Sequence, residues 1–242
     1  PDNLARANKT KYTYLAIKRL MKRTSKATSV AAKICGLKDR TAIQAAVDGG
    51  ARYIGFVFYS PSPRAVTPAQ AQKLSKSIPP SVIKVGLFVD PGDKFLQNVL
   101  DHVALDFIQL HGGEDPNRVR TIKALTNCPV LKAVKVANGA DVDGAVDYDG
   151  LADMLLFDAK APKNMHDALP GGNGLVFNWN LLANRHWRSP WMLSGGLDPE
   201  NVSQAVSLTR AQAVDVSSGV ESAPGEKDPA AIKAFLDAVK AL

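Results

Sequence analysis

Eight short apolar runs, recurring from residue 31 onward, constrain the fold more than any other feature of this sequence. They cover Ala31–Cys35, Tyr53–Phe58, Ile83–Val89, Phe107–Leu110, Val130–Val136, Met154–Phe157, Trp191–Leu193 and Ala213–Val216. Most are nearly continuous in apolar residues, which is typical of parallel strands covered on both faces.

Segments with helical patterns lie between these runs and after the last one. They cover Thr41–Asp48, Pro68–Ser77, Lys94–Asp101, Pro116–Leu125, Val142–Gly150, Asn178–Leu182, Pro199–Leu208 and Ala230–Ala241. Several have a start signal, in which a capping side chain precedes proline, such as Thr67-Pro68, Asp115-Pro116 and Asp198-Pro199.

Eight strands, each followed by a helix, predict an α/β fold, a closed (β/α)₈ TIM barrel, over residues 31–242. The alternative is a doubly wound open sheet. Such a sheet usually has a glycine-rich turn after its first strand, and Cys35-Gly36-Leu37-Lys38 is not one.

The net charge of +7 belongs to the first thirty residues. Residues 1–30 contain 8 basic and 1 acidic side chains, and the rest of the chain contains 22 of each. The charge is therefore no evidence for a nucleic-acid-binding barrel, and no nucleic acid is expected as a partner. We predict a basic N-terminal extension, disordered or weakly helical, and leave two alternatives open: a targeting peptide, or translation from upstream of a natural start at Met21.

No apolar run reaches the roughly 18 residues of a membrane-spanning helix, and Pro1–Val30 lacks a secretory signal. The two cysteines, Cys35 and Cys128, are expected at opposite rims of the barrel as free thiols in a reducing compartment. We therefore expect a cytoplasmic protein, unless the basic segment directs it to an organelle. The four histidines show no metal-ligand spacing, so no metal is expected.

Functional side chains of a barrel lie where strands end and βα loops begin. Here the last two strands are followed by Ser194-Gly195-Gly196 and by Ser217-Ser218-Gly219. Glycines let backbone N–H groups approach an anion closely, and the start of a short helix favours negative charge. Both loops together predict a phosphate site, although each glycine motif alone is also compatible with a plain turn.

Cys35 and Asp158, at the ends of strands one and six, are candidates for an acid–base pair across the barrel mouth. Alone, a cysteine at a strand end is more often a small buried hydrophobe than a catalyst. Asp158 is compatible with a carboxylate that accepts loop N–H groups or pairs with Lys160.

Arg64 and His111 are candidate substrate-binding residues. Arg64 ends the rigid loop Pro61-Ser62-Pro63-Arg64, from which its guanidinium could bind a carboxylate through two donors; the alternative is a solvated arginine. His111 shares a strand face with Gln109, which makes a structural histidine and a substrate contact equally compatible with the sequence.

Eight motifs, in order from about residue 32 to the C-terminus, closely resemble the phosphoribosylanthranilate isomerase family of tryptophan biosynthesis. They are Lys33–Gly36, Gly55–Phe58 with Ser62–Arg64, Val85–Val89, Gln109–Gly112, Leu156–Asp158, Pro170–Gly174, Leu193–Leu197 and Asp215–Glu221. The basic extension has no counterpart in this pattern.

The resemblance implies an Amadori rearrangement of N-(5-phosphoribosyl)anthranilate, a small phosphorylated substrate, without a cofactor. The family's general base corresponds to Cys35, its general acid to Asp158, and its grip on the anthranilate carboxylate to Arg64. The implied phosphate contacts are Gly195, Gly196, Ser218 and Gly219. Gly172, in the loop Gly171–Gly174, is implied to line the site, and Asp215 to orient the substrate. Barrels of this type occur as monomers and as homodimers.

Three other functions remain open on the residues alone. A sugar-phosphate epimerase of the metal type would need strand-end histidines that are missing. A Schiff-base aldolase would need a lysine at a strand end, and Lys132 and Lys135 are the only candidates inside the strands. The basic extension could instead bind RNA or an acidic surface, with the barrel as a passive body.

Overall fold

The computed structural model describes residues 30–162, 165 and 169–242, so the predicted basic extension, apart from Val30, lies outside the described residues. Within this part of the chain, eight parallel strands close into a barrel in which the last strand pairs with the first. They are β1 (Ala31–Cys35), β2 (Tyr53–Val57), β3 (Ile83–Phe88), β4 (Phe107–Leu110), β5 (Val130–Val136), β6 (Met154–Ala159), β7 (Trp191–Leu193) and β8 (Ala213–Val216). The predicted (β/α)₈ TIM barrel is confirmed.

Helices and short 3₁₀ turns connect the strands. The helices are α1 (Arg40–Asp48), α2 (Pro68–Ser75), α3 (Asp93–His102), α4 (Pro116–Thr126), α5 (Gly139–Asp143), α6 (Val202–Thr209) and α7 (Pro229–Lys240). Thr67 and Asp115 cap α2 and α4 through their side chains, as their position before proline predicts. The start predicted at Asp198-Pro199 is wrong, because the Asp198 carboxylate binds Glu200 and Asn201 instead, and the helix begins at Val202.

Several further details differ from the sequence prediction. The segment predicted as a helix at Asn178–Leu182 is a 3₁₀ turn, Trp179–Leu181. The helix predicted over Val142–Gly150 is wrong: the Asn138 side chain caps α5 earlier, and a 3₁₀ turn at Gly144–Asp147 follows. Strand β6 continues through Asp158 to Ala159, because these residues still pair with β5. A hairpin that the apolar pattern did not predict, β9 (Glu221–Ala223) and β10 (Glu226–Lys227), follows β8.

The barrel interior changes from apolar to polar toward the carboxyl ends of the strands. Its lower layers contain apolar side chains such as Val85, Phe107, Leu131, Leu156 and Met192. Since alternate residues of a strand face the same side, the next inward positions along the strands form the mouth. Those positions include Cys35, Gln109, Asp158, Ser194 and Asp215, all of them buried. The polar side chains that face into the barrel therefore converge at one end of it.

Candidate active site at the mouth of the barrel

Two adjoining pockets open at the carboxyl ends of the strands. The first has an apolar wall, formed by Val57, Tyr59, Leu87, Val89, Leu169 and Pro170, and its other lining residues include Cys35, Arg64, His111, Asp158 and Asp215. The second is lined mainly by glycines and polar groups: Asn173, Gly174, Gly195, Gly196, Ser217 and Ser218. Asp158, Gly172, Asp215 and Ser217 line both pockets, so one elongated ligand could extend from one into the other.

Cys35 ends β1 with only 3% of its surface exposed. Both cysteines are free thiols, as predicted. Burial raises the pKa of the Cys35 thiol, whereas the nearby ammonium groups of Lys33 and Lys227 lower it in part. On the adjacent strand, Gly55 leaves room for the thiol: a Cβ atom at Gly55 would lie 2.9 Å from the Cys35 Sγ atom.

Asp158 is the penultimate residue of β6 and points into the mouth. Its Oδ1 atom accepts the Ala159 N–H at 2.9 Å, and its Oδ2 atom lies 3.0 Å from Nε2 of His111. The alternative pairing with Lys160 is wrong, because the Lys160 ammonium binds Asp141 outside the mouth. One oxygen of Asp158 is thus bound by backbone and the other by an imidazole.

His111 lies between Asp158 and Gln109. The Gln109 amide nitrogen is 2.9 Å from His111 Nδ1, and the Gln109 Oε1 atom is buried without a partner among the described residues. With an amide N–H donated to Nδ1, the neutral imidazole carries its proton on Nε2 and donates it to Asp158. Gln109 and His111 share the inward face of the chain, as the sequence predicted.

Arg64 is 5% exposed, so the alternative of a solvated arginine is wrong. Its Nε and Nη2 atoms each donate to the Glu221 carboxylate at 2.8 Å, and Nη2 also donates to the Gly172 carbonyl at 3.1 Å. Glu221 lies in the β9–β10 hairpin and also pairs with the buried Lys227 ammonium. Two edges of the guanidinium are therefore occupied, and the Nη1 end faces Gly172, whose Cβ would lie 2.7 Å away.

The second pocket lies against the loops after β6, β7 and β8. Gly195 and Gly196 both have positive φ, and a Cβ atom at Gly195 would lie 2.7 Å from the Ala159 backbone nitrogen. Ser218 lies in the 3₁₀ turn after β8 and lines this pocket. Gly219 lines neither pocket; its Cα packs against the Leu197 carbonyl oxygen, where any side chain would clash.

Lys33 is a charged residue of this region that the sequence interpretation missed. Its side chain is fully buried, and its Nζ atom lies 2.7 Å from Oδ1 of Asp215. The claim that Lys132 and Lys135 are the only lysines inside the strands is therefore wrong, because Lys33 lies inside β1. A lysine in the middle of an apolar run, two residues before Cys35, was the available signal, because such a residue must share the inward face with the thiol.

Lys132 and Lys135 do not form a nucleophilic site. The Lys132 ammonium is held by the Glu114 carboxylate at 2.7 Å and by the Gly112 carbonyl, and neither lysine lines the two pockets. Among the described residues, no group of three or more His, Cys, Asp and Glu side chains is arranged to hold a metal ion. None of the helices in residues 30–162 and 169–242 is long and apolar enough to cross a membrane.

The closed parallel barrel and the thiol and carboxyl groups at its carboxyl-terminal mouth define a (β/α)₈-barrel enzyme. Residues 32–238 match the family model of N-(5'-phosphoribosyl)anthranilate isomerase. The chain therefore belongs to that family, the isomerases of tryptophan biosynthesis.

Similar proteins agree with this membership. The N-(5'-phosphoribosyl)anthranilate isomerase of Paracoccus denitrificans is 58% identical over 208 residues, which are 86% of this chain and 96% of the relative. The crystal structure of phosphoribosyl anthranilate isomerase from Thermotoga maritima has a TM-score of 0.79 at 38% identity, covering 88% of this chain and all of that one. A structure of the isomerase in complex with reduced 1-(o-carboxyphenylamino)-1-deoxyribulose 5-phosphate has a TM-score of 0.74 at 36% identity, with coverage of 88% and 100%.

Proposed function

We propose that Cys35 is the general base and Asp158 the general acid that convert N-(5-phospho-β-D-ribosyl)anthranilate to 1-(2-carboxyphenylamino)-1-deoxy-D-ribulose 5-phosphate. One observation carries this assignment. Cys35 and Asp158 line the same pocket, and at Asp158 that pocket meets the glycine-lined one. A sugar that joins an aromatic ring to a phosphate would therefore cross the space between the thiol and the carboxyl group.

The two pockets differ in character, which orients such a substrate. The anthranilate ring would pack against Val57, Leu87 and Pro170, whereas the phosphate would accept N–H groups near Gly195 and Gly196. Ser218 and Gly172 would contact the phosphate end, and Gly219 would bring the two phosphate loops together.

Arg64 would bind the anthranilate carboxylate through its Nη1 end. Its Nε and Nη2 atoms already hold Glu221, so the carboxylate would not receive the Nε–Nη2 edge. The pairing with Glu221 fixes the guanidinium in the pocket wall before a ligand binds. Pre-organisation of this kind lowers the entropy cost of binding.

The reaction needs an acid that donates a proton to the furanose ring oxygen and a base that removes a proton from C2′. Asp158, in its protonated form, would protonate the furanose ring oxygen, and the bond from that oxygen to C1′ would break to give a protonated Schiff base. The Cys35 thiolate would then remove the C2′ proton, and the electron pair would neutralise the nitrogen to form an enolamine. Protonation of C1′ and loss of the C2′ hydroxyl proton yield the keto product, so the sum is an isomerisation without a cofactor.

His111 supports the acid in this scheme. Its Nε2–H would donate to the Asp158 oxygen that does not bind backbone, 3.0 Å away, and so stabilise the carboxylate that remains after Asp158 has given its proton to the ring oxygen. Asp215 would orient the sugar hydroxyls, since it lines both pockets.

A direct assay tests the proposal. The purified full chain is incubated with phosphoribosylanthranilate, and the substrate's fluorescence is followed in wild type, Cys35→Ser and Asp158→Asn. Loss of fluorescence in wild type and its near absence in both variants is the expected result. Normal turnover in either variant would remove that residue from the mechanism.

A further inference from the structure

Lys33 occupies the centre of β1, two residues before Cys35, and its side chain is completely buried. A lysine in such a place loses its hydration, which costs several kcal/mol unless partners compensate. Its apolar neighbours on the same run, Ala32 and Ile34, face the helices instead. An apolar residue at this position would therefore be expected from packing alone, and the retained charge calls for a physical explanation.

Asp215 supplies one partner for the buried ammonium group. Lys33 and Asp215 are register partners on β1 and β8, and Ser194 donates its hydroxyl to the second carboxylate oxygen at 3.1 Å. Burial by itself lowers the pKa of Lys33, but the Asp215 carboxylate and the adjacent Cys35 raise it well above its ordinary value. Lys33 is therefore a cation at neutral pH.

The end of the Lys33 side chain lies beside the Cys35 thiol. Both groups face Gly55 on β2: a Cβ atom there would be 2.9 Å from the Cys35 Sγ and 3.3 Å from the Lys33 Cε. Because Gly55 has no side chain, the Cys35 thiol and the Lys33 Cε atom both pack against its backbone. The inward direction of residues 33 and 35 on one strand makes this contact independent of any loop.

Other charged groups face Cys35 from the surrounding elements. They are Asp215 on β8, Lys227 on β10, Arg64 with Glu221 beside the β2 loop, and the His111–Asp158 pair across the pocket. Burial is the largest influence and raises the pKa of the thiol; Lys33 lowers it more than Lys227 does, and Asp215 raises it. Of the charges near the thiol, Lys33 has the largest effect.

We propose that Lys33 is a positioning residue that stabilises the thiolate form of Cys35, while Asp215 holds Lys33 in place and partly offsets its charge. With a neutral thiol, Lys33 and Asp215 sum to zero; when the Sγ proton leaves to water or to an acceptor in the pocket, the thiolate becomes a second anion beside the same cation. The catalytic meaning of this arrangement rests on the proposed role of Cys35, but the electrostatic effect does not.

The test measures the thiolate by its ultraviolet absorbance as a function of pH, in the full chain carrying Cys128→Ser. Cys35 is then the only thiol, which removes the contribution of Cys128, whose pKa burial raises to about 12. In this background, Lys33→Met should raise the thiol pKa by about 1 to 3 units, the effect expected for loss of one adjacent opposite charge. Asp215→Asn should move it in the opposite direction.

Lys132→Met provides the matched control. Lys132 is also a buried strand lysine paired with a carboxylate, Glu114, at 2.7 Å, but it lies on β5, across the barrel from β1. This variant should lose stability in the same way and leave the thiol pKa unchanged. If Lys33→Met leaves Asp215 uncompensated and does not fold, the double variant Lys33→Met/Asp215→Asn is compared with Asp215→Asn, and the same rise is expected.

A folded Lys33→Met, or the double variant, with an unshifted thiol pKa would overturn the inference. An equal rise in Lys132→Met would also overturn it, because the effect would then come from general destabilisation. Turnover separates this inference from the proposed function. If Cys35→Ser remains active while Lys33→Met shifts the thiol pKa, Cys35 is not the base, but Lys33 still stabilises the thiolate. If Cys35→Ser is inactive while Lys33→Met does not shift the thiol pKa, the assignment of the base stands and the inference about Lys33 fails.

Discussion

His111 and Asp158 lie 47 positions apart in the chain, yet Nε2 of the imidazole is 3.0 Å from Oδ2 of the carboxylate. The pair is covered by the loop after β6, since a Cβ atom at Gly171 would lie 2.5 Å from the same Nε2 atom and 2.8 Å from the same Oδ2 atom. The backbone of Gly171 therefore covers the His111–Asp158 pair directly, with no side chain in between.

Gly171→Ala should reduce turnover, because the added methyl group would push the loop off the His111–Asp158 pair or separate the two side chains. We expect a fall in kcat of about tenfold or more, since small displacements of catalytic groups have large effects on rate. Gly144→Ala is the control: a Cβ atom at Gly144 meets nothing within 4 Å. If Gly171→Ala and Gly144→Ala had equal kinetics, close packing of the Gly171 backbone over the His111–Asp158 pair would not matter for turnover.

Cys35→Ser and Asp158→Asn should each lower kcat by at least about 10²-fold, the lower end for general acid–base groups. Both replacements nearly preserve size, so folding should be little affected. Steady-state fluorescence kinetics measure the loss, and thermal unfolding checks the fold. Cys128→Ser serves as the control for removal of a buried thiol from the other rim, and it should keep near-normal turnover.

Arg64→Ala should mainly weaken substrate binding. Loss of a hydrogen bond to a charged group corresponds to about 1.5 to 3 kcal/mol, hence to a rise in KM of about 10- to 100-fold. Arg185→Ala removes an arginine whose partner, Asp143, is exposed and remote from the mouth, and it should leave KM unchanged. Unchanged affinity of Arg64→Ala for an anthranilate-bearing ligand would rule out the carboxylate contact.

The ion pairs of Glu221 should make the stability of the fold sensitive to acidic pH. Burial by itself raises the pKa of this carboxyl, but the bonds from Arg64 and Lys227 lower it below its ordinary value overall. A lowered folded-state pKa adds stability above the unfolded pKa of about 4.3, and that stability is lost as the pH falls through the folded-state pKa. The free energy of unfolding of the wild type should therefore fall more on acidification than that of Glu221→Gln. At neutral pH, Glu221→Gln should already be less stable than the wild type by about 3 kcal/mol.

Urea unfolding at a series of pH values measures this difference. Glu226→Gln is the matched control, because that glutamate lies in the same hairpin with 65% of its side chain exposed. It should follow the wild-type curve within about 0.5 kcal/mol. Parallel pH curves for wild type and Glu221→Gln would show that the ion pairs around Glu221 do not contribute to acid stability.

The barrel was predictable because its strands are buried on both faces, so that each one appears in the sequence as a continuous apolar run. The bounds of β1, β4, β5, β7 and β8 are as predicted. The end of β6 was not predictable, because Asp158 interrupts the apolar run while its backbone still pairs with Lys135. Hydrogen-bonded pairing continues one residue past the polar side chain that the pattern takes as a boundary.

The site was predictable at its centre and less so around it. Strand-end positions identified Cys35 and Asp158 as members of one pocket, but the partners of Arg64 were hidden. Glu221 and Lys227 lie in a hairpin of five strand residues, too short to leave a period-two signal. Which buried charges neutralise each other depends on contacts across the sheet, and a single sequence does not record such contacts.

The Lys33–Asp215 pair joins residues 182 positions apart, across the seam where the last strand meets the first. The closure entropy of the intervening chain opposes contacts of such high sequence separation, so we expect this pair to form late in folding. Until β8 docks, Lys33 and Cys35 on β1 lack the Asp215 carboxylate, and the glycine-lined pocket lacks Ser218. We therefore expect a chain with seven strands in place to lack turnover, and turnover to return during refolding when the ring closes.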